Sequence, residues 1–338
     1  LNIIISFKPV SYMNPKASYA GIARVNLESG KVEKLLKFPS AIFKTDKSFM
    51  TSNAQGLVLK DGIAYVGLWN YIAIVDLDTF TTIDAFSSPE FSDVHSLEIV
   101  DDHLYVVSTA SEVISCFELS TLKRKWYWGA PNSNILKGGR FKFLPIVKNR
   151  YQRKIYNILN ILKYVRTPNK IIESRYIHKT CSSYYRHHMN NITYNQGHLY
   201  VNTKGWFDTR TSAVIKLNID SLEEEFFVEP GGFIGSHDGY FFNGKYYVTE
   251  ADNNSIAWKD SDNKIERIQL KPENYFIRGL EKVNDSWIVG FTPSRGSNNV
   301  CLLKIYNEDF NIVKNEININ DLLPREIGVA VHTIKLEP

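Results

Sequence analysis

HSLEIVDDHLYV, residues 95–106, contains a short apolar strand, a two-residue turn and a second strand in twelve positions. The same phrase returns as QGLVLKDGIAYV (55–66), NNITYNQGHLYV (190–201), HDGYFFNGKYYV (237–248) and RGLEKVNDSWIV (278–289), and as a half-copy, HTIKLE (332–337), where the sequence ends. The five full copies align without gaps. Their seventh and eighth columns read Asp61-Gly62, Asp101-Asp102, Gln196-Gly197, Asn243-Gly244 and Asn284-Asp285. These residue types tolerate the positive φ that a tight hairpin turn demands. The Tyr- and Val-rich runs that follow, such as Leu104-Tyr105-Val106 and Tyr246-Tyr247-Val248, suit a pleated, buried surface.

Each hairpin leads into a third strand with a polar turn, as in IAIVDLDTF (72–80), VISCFELSTL (113–122) and AVIKLNIDSL (213–222); IARVNLESG (22–30) belongs to the same set. A fourth strand follows, for example Lys31 to Phe38. Four antiparallel strands repeating every ~40–50 residues are the signature of propeller blades. The expected fold is therefore all-β, a six-bladed β-propeller, with a decorated sandwich as the alternative. The first blade lacks its inner strand at the N-terminus, where Asn2 to Phe7 already reads as a second strand. Val331 to Leu336 is expected to supply it, so that the two chain ends share one blade and cover two sheet edges.

The segments YVGLWNYIAIVDLDT (65–79) and VTEADNNSI (248–256) resemble blade motifs of the broad six-bladed group of NHL-repeat, gluconolactonase-like and strictosidine-synthase-like proteins. The resemblance covers the blades, leaves out residues 131–186, and implies the fold but no particular activity. The acidic calcium-binding quartet of the gluconolactonase-like branch has no counterpart in the first column. Neither that metal nor lactonase activity is carried over.

At 338 residues the chain fits one closed radial domain, 1–338, with ample core. Cys116, Cys181 and Cys301 are far apart; Cys116 and Cys301 fall in expected third strands, which favours buried thiols over a disulfide framework. No apolar run approaches the ~18 residues of a membrane span, and LNIIISFKPV lacks the form of a signal peptide. A cytoplasmic setting is the default expectation, with a leader already removed as the alternative. There is no HExxH, CxxC, Walker loop, GxGxxG or GxSxG. Gly231, Gly232 and Gly235 read as turn glycines, and Glu223 to Glu225 as a solvated strand face.

The spacing of the phrase breaks once, between His95 and Asn190, where residues 131–186 form an insertion between blades three and four. It holds thirteen Lys or Arg and one acid, Glu173, so it carries about +12 while the remainder carries about −8 within a chain of net +4. Ile155, Ile158, Leu159, Leu162 and Val165 lie at helical spacing, and Pro168 closes the run, so the insertion is expected to be mainly helical. Three readings stand: a solvated cap on the propeller, a lid over an anionic ligand, or an arm docking to an acidic partner or membrane surface. Nucleic acid has no recognised motif to support it.

First-column residues enter the inner strands together at one mouth of a central channel: Gln55, His95, Asn190, His237, Arg278 and His332. The insertion feeds His187 and His188 into the entry of blade four, so up to five histidines gather near one axis. Inward imidazoles can hold a divalent metal with one position open for chemistry. Alternatively, histidines with Arg278 bind a carboxylate, sulfate or phosphate, with one imidazole exchanging protons. The bland alternative is a set of loop-capping histidines. His95, His237, His332 and Arg278 are the candidate catalytic residues, the three histidines doubling as metal ligands. Gln55, Asn190, His187, His188 and Tyr240 are candidate substrate contacts, and Asp238 a candidate orienter of His237. The expectation is a propeller enzyme for an anionic small molecule or saccharide, by hydrolysis, elimination or group transfer. Its rival is a non-catalytic binding propeller that grips an acidic partner through 131–186.

Overall fold

Six four-stranded antiparallel sheets make up the computed structural model, which describes residues 1–9, 20–38, 53–88, 90–130, 132–136, 187–206, 210–271, 274–293, 300–323 and 329–338. The basic helix expected over 151–165 lies outside the described residues, as does nearly all of the insertion.

Blade one is β1 (Asn2–Pro9), β2 (Ala20–Asn26) and β3 (Lys31–Phe38). Blade two is β4 (Gly56–Lys60), β5 (Ile63–Gly67), β6 (Ile72–Asp76) and β7 (Thr81–Phe86). Blade three is β8 (Val94–Val100), β9 (His103–Ser108), β10 (Val113–Glu118) and β11 (Arg124–Gly129). Blade four is β12 (Met189–Asn195), β13 (His198–Thr203), β14 (Thr211–Asn218) and β15 (Glu224–Ile234). Blade five is β16 (Ser236–Phe242), β17 (Lys245–Glu250), β18 (Ser255–Lys259) and β19 (Ile265–Gln269). Blade six is β20 (Tyr275–Val283), β21 (Ser286–Pro293), β22 (Leu302–Asn307) and β23 (Val313–Asn318), followed by the single turn α1 (Ile319–Leu322). The last strand, β24 (Val329–Leu336), pairs with β1 and completes blade one. The chain ends thus close the ring as the sequence predicts.

The repeated turns set the hairpins. Lys60 pairs with Ile63, Val100 with His103, Asn195 with His198, Phe242 with Lys245 and Val283 with Ser286, so every loop is two residues long. Asp61, Asp101, Gln196, Asn243 and Asn284 all take φ near +50°, the conformation the turn columns require.

Strand alternation builds the contacts between blades. Ile3, Ile5 and Phe7 face blade six, while Ile4 faces blade two. In blade five, Tyr246 and Val248 pack on blade four and Tyr247 packs on blade six. Each of the six interfaces between neighbouring blades holds its own buried cluster. Innermost strands touch in the cyclic order β24, β4, β8, β12, β16, β20 and back to β24. Cys116 and Cys301 are buried free thiols, Cys301 lying one residue before β22 rather than inside it.

The run Glu223 to Glu225 is not the uniformly solvated strand face its sequence suggests. Glu223 and Glu225 are exposed, but the Glu224 carboxylate accepts from Trp128 Nε1 at 3.0 Å, Ser133 Oγ at 2.6 Å and the amides of Asn134 and Ile135. It caps the turn that leaves blade three, a contact across blades that a run of three glutamates does not reveal. Gly231 and Gly232 likewise sit within the long strand β15, and only Gly235 (φ +58°) is at the turn into β16.

Candidate functional site: a polar ring at the channel mouth

Five of the six inner strands are irregular where the first column falls. Pairing registers shift between Val94 and Ser96, between Met189 and Asn191, between Ser236 and Gly239, and between Arg278 and Leu280. In β24 the pairing skips His332, because Val331 faces Phe7 and Thr333 faces Ser6. His95, Asn190, His237 and His332 therefore sit in bulges, and Arg278 borders one. A bulge breaks the in–out alternation and re-aims a side chain, which is how adjacent residues on one strand can both approach the axis.

The ligand nitrogens of His95, His237 and His332 all lie within 4.8 Å of one another. His95 and His332 ring centres are 5.1 Å apart, His237 and His332 4.5 Å, and His95 and His237 6.0 Å. His188 joins them, its ring 5.3 Å from that of His95. His187 turns away: its Nδ1 lies 3.0 Å from Glu112 Oε2, its ring packs 4.7 Å from that of Trp206, and the backbone amides of His187 and His188 donate to Glu112 Oε1. Glu112 thereby anchors the chain as it enters blade four. Four histidines, not five, share the mouth.

Gln55 links this ring to blade one. Its carbonyl accepts from His332 Nδ1 at 3.1 Å, Ser6 Oγ at 3.2 Å and Thr333 Oγ1 at 2.6 Å. Because a carbonyl only accepts, His332 carries its proton on Nδ1 and presents a bare Nε2. That Nε2 has no hydrogen-bond partner among the described residues, nor does either ring nitrogen of His237. Asp238 Oδ2 lies 3.4 Å from His237 Nδ1, an ion-pair distance outside good hydrogen-bond geometry. The same oxygen already accepts from Thr249 Oγ1 at 2.7 Å and the Gly279 amide at 2.9 Å. His95 Nδ1 sits between Asp93 (backbone O at 3.3 Å, Oδ2 at 3.4 Å) and the Gln55 amide nitrogen at 3.2 Å, which leaves Nε2 for a ligand. Asn190 donates to the Ser236 carbonyl at 2.9 Å, and its buried Oδ1 has no hydrogen-bond partner among the described residues. Tyr240 lies three residues down β16 from His237 and lines the channel further in, with its ring edge-on to Trp287.

Burial dominates the protonation of these groups. It pushes His237 down to about 4, and His95, His188 and His332 well below the ordinary histidine range. The neighbouring Arg278 acts in the same direction on His95, His237 and His332. The imidazoles are therefore neutral at pH 7, the form that ligates metals.

Lys8, Lys204 and Asp93 are the site residues that the repeat did not reveal. Lys8 Nζ donates to Gln55 Oε1 at 3.0 Å, and burial followed by Arg278 lowers its amine to about 7. Lys204 pairs with Asp252 at 3.1 Å, and burial and Arg278 lower it too. Both lysines lie where a second strand ends, at the last residues of β1 and just beyond β13. In an antiparallel hairpin that end adjoins the start of the first strand. Aligning this exit column as well as the entry column is the signal that would have exposed them.

A tetrahedral ion with Zn–N bonds of ~2.0–2.1 Å needs donor nitrogens roughly 3.4 Å apart. The three imidazoles, whose ligand atoms lie within 4.8 Å of one another, would have to close inwards by about an ångström to hold one. The donor set fits a borderline transition metal such as Zn²⁺ better than a hard, oxygen-seeking one.

No family model and no curated protein matches this sequence. Many solved structures share its shape, two of them over nearly the whole chain. A protein of unknown function from Bacteroides caccae superposes with a TM-score of 0.58 at 11% identity, covering 98% of this chain and 97% of that one. A chain of a nidogen/laminin complex superposes with a TM-score of 0.57 at 8% identity, covering 99% and 97%. At such identities the likeness establishes the six-bladed β-propeller fold alone.

Proposed function

We propose that the chain is a metal-dependent enzyme acting on an anionic small molecule or saccharide at the channel mouth. His95, His237 and His332 would hold the divalent ion, and Arg278 with Lys8 and Lys204 would bind the anion. One observation carries this reading: three buried, neutral imidazoles from three blades converge within 4.8 Å, and nitrogens of two of them make no hydrogen bond among the described residues. Buried polar atoms are almost always partnered, so loop-capping histidines do not account for them.

Three protein ligands leave a position open, and a bound ion supplies Lewis-acid activation there. The protein's own groups do the rest. The Arg278 fork orients an oxyanion. Lys8, its amine poised at about 7 beside Gln55 and Asp93, exchanges a proton near neutrality. His188 closes the side of the site next to blade four. Hydrolysis, elimination of a uronate-type sugar and group transfer all use this equipment. A place in the NHL-repeat and gluconolactonase-like group is part of this proposal; it rests on the blade motifs alone and contributes no activity.

Elemental analysis of the purified protein tests the metal, and turnover of uronate oligomers and phosphate or carboxylate esters tests the enzyme. Stoichiometric zinc or a related ion, lost in His237→Ala, is the expected result. A metal-free protein whose His95→Ala and His237→Ala variants keep full ligand binding would instead mark a non-catalytic binding propeller.

A further inference from the structure

Further along the inner strands from the histidine ring lies a chamber of about 210 Å³, lined by residues of all six of them. Its polar groups come mainly from positions one residue beyond the first column (Ser96, Asn191, Asp238, Thr333) and three beyond it: Glu98 on β8, Thr193 on β12, Tyr240 on β16 and Lys335 on β24. Glu281, at the same offset on β20, places its Oε2 3.7 Å from Lys335 Nζ. A second cavity of about 430 Å³, bordered by Lys60, Asp101 and Pro338, shares Glu98 and Lys335 with the chamber. Glu98 and Lys335 therefore border both cavities.

We propose that this lower chamber is a second binding site, for a small molecule carrying a protonated primary amine. One ammonium, Lys335, faces two carboxyls, Glu98 and Glu281, each of which raises its affinity for a proton. Glu281 is 8% exposed, and its Oε2 has no partner at hydrogen-bond distance among the described residues, its ion pair with Lys335 Nζ being 3.7 Å long. A buried acceptor held only by a long ion pair is under-satisfied, and a ligand ammonium brings three donors and a second positive charge to the two carboxyls. Leu57, Leu97, Ile192 and Ile334 line the same chamber and suit a short alkyl body. A divalent metal does not fit. Among the described residues only the histidine trio gathers three ligand atoms within 4.8 Å, so these carboxyls do not converge on one ion. An anion would meet two carboxyls across a single lysine.

The groups facing Glu98 are Lys335 from β24, Glu281 from β20, Asp238 and Tyr240 from β16, and Lys60 and Asp101 at the lower rim. Burial first, and Glu281 next among the raising influences, hold the Glu98 carboxyl up at about 7. Amine binding therefore expels a proton from Glu98 near neutrality and strengthens as pH rises through 7.

Calorimetry on the full chain with n-butylammonium chloride, n-butanol and sodium butyrate tests the proposal. The expected result at pH 8 is butylammonium binding at least tenfold tighter than either uncharged or anionic isostere. Glu98→Gln and Glu281→Gln should each weaken it about tenfold. In the wild-type protein the affinity should climb several-fold from pH 6 to pH 8, with a heat that depends on the buffer's ionisation enthalpy. Butylammonium binding no tighter than butanol overturns the proposal. So does an affinity that stays flat with pH in the wild-type protein, a result that does not depend on either variant folding.

Discussion

The two ends of the channel are built by the same six strands, yet they carry opposite chemistry. At the mouth, neutral imidazoles stand among Lys8, Lys204 and Arg278, with Asp93 and Asp252 as partial counter-charges. Three residues further along the strands, Glu98 and Glu281 share one Lys335. The upper ring offers lone pairs to a metal and cations to an anion, and the lower ring offers acceptors to a cation. Bulges separate them. They break the two-residue alternation between the first column and the third position beyond it, so that both rings point at the axis. A strand can therefore hold two unlike sites about 10 Å apart, the rise of three residues at ~3.3 Å each.

The comparison breaks most visibly at the metal. His332→Ala should lower zinc affinity by more than the roughly 100-fold typical of a supporting residue, while Glu98→Gln leaves it unchanged; zinc titration of both variants decides. Loss of zinc in Glu98→Gln would mean the two rings are one site.

Acid separates the rings next. His237 is held at about 4 against an ordinary 6.5, so the unfolded chain takes its proton first as pH falls. The stability from keeping it neutral is full above about pH 6.5 and is lost as pH falls through 4, on the order of 3 kcal/mol for this group. Urea unfolding of the metal-free protein from pH 7 to 4 should show that decline, and His237→Gln should make it shallower by this one group's share, the rest coming from His95, His188 and His332.

The lower ring runs the other way. Glu98 is held up at about 7 against 4.5, so its contribution is present below about pH 4.5 and is lost as pH rises through 7. Glu98→Gln removes that loss and should stabilise the protein by about 1–3 kcal/mol at pH 8, with little change at pH 4.5. A variant no more stable than the wild-type protein at pH 8 would show that Glu98 is solvated.

The smallest effect concerns the bulge between the rings in blade six. Gly279 has φ +76°, and an added Cβ would lie 2.8 Å from the Ile334 side chain. Gly279→Ala should cost about 1–2 kcal/mol and displace Arg278, weakening anion binding without removing zinc. Thermal melts and an anion titration measure both consequences.

Much of this was legible in the residues. The turn columns, the Tyr-Val second strands and the half-phrase at His332 are local patterns, and they led to six blades, closure by the last strand and six mouth positions. The histidine trio was legible because each member opens a repeat. Lys8 and Lys204 were not, because they close second strands and carry no repeating residue type. Glu98, Glu281 and Lys335 were hidden for a different reason: in an unbulged strand, a residue three beyond an inward-facing one points away from the axis. Asp93 was missed because its link to the ring runs through Gln55, from another blade.

By itself, then, the order of residues determined the number of blades, the two-residue hairpins and which side chains stand at the entry of each inner strand. These follow from turn chemistry and alternating burial, which act over a few neighbours. Only the tertiary structure decided which of those side chains meet, that His187 serves Glu112 while His188 joins the ring, and that a second polar ring faces the axis. Those outcomes depend on bulges and on contacts between blades far apart in the chain, whose energies no local pattern encodes.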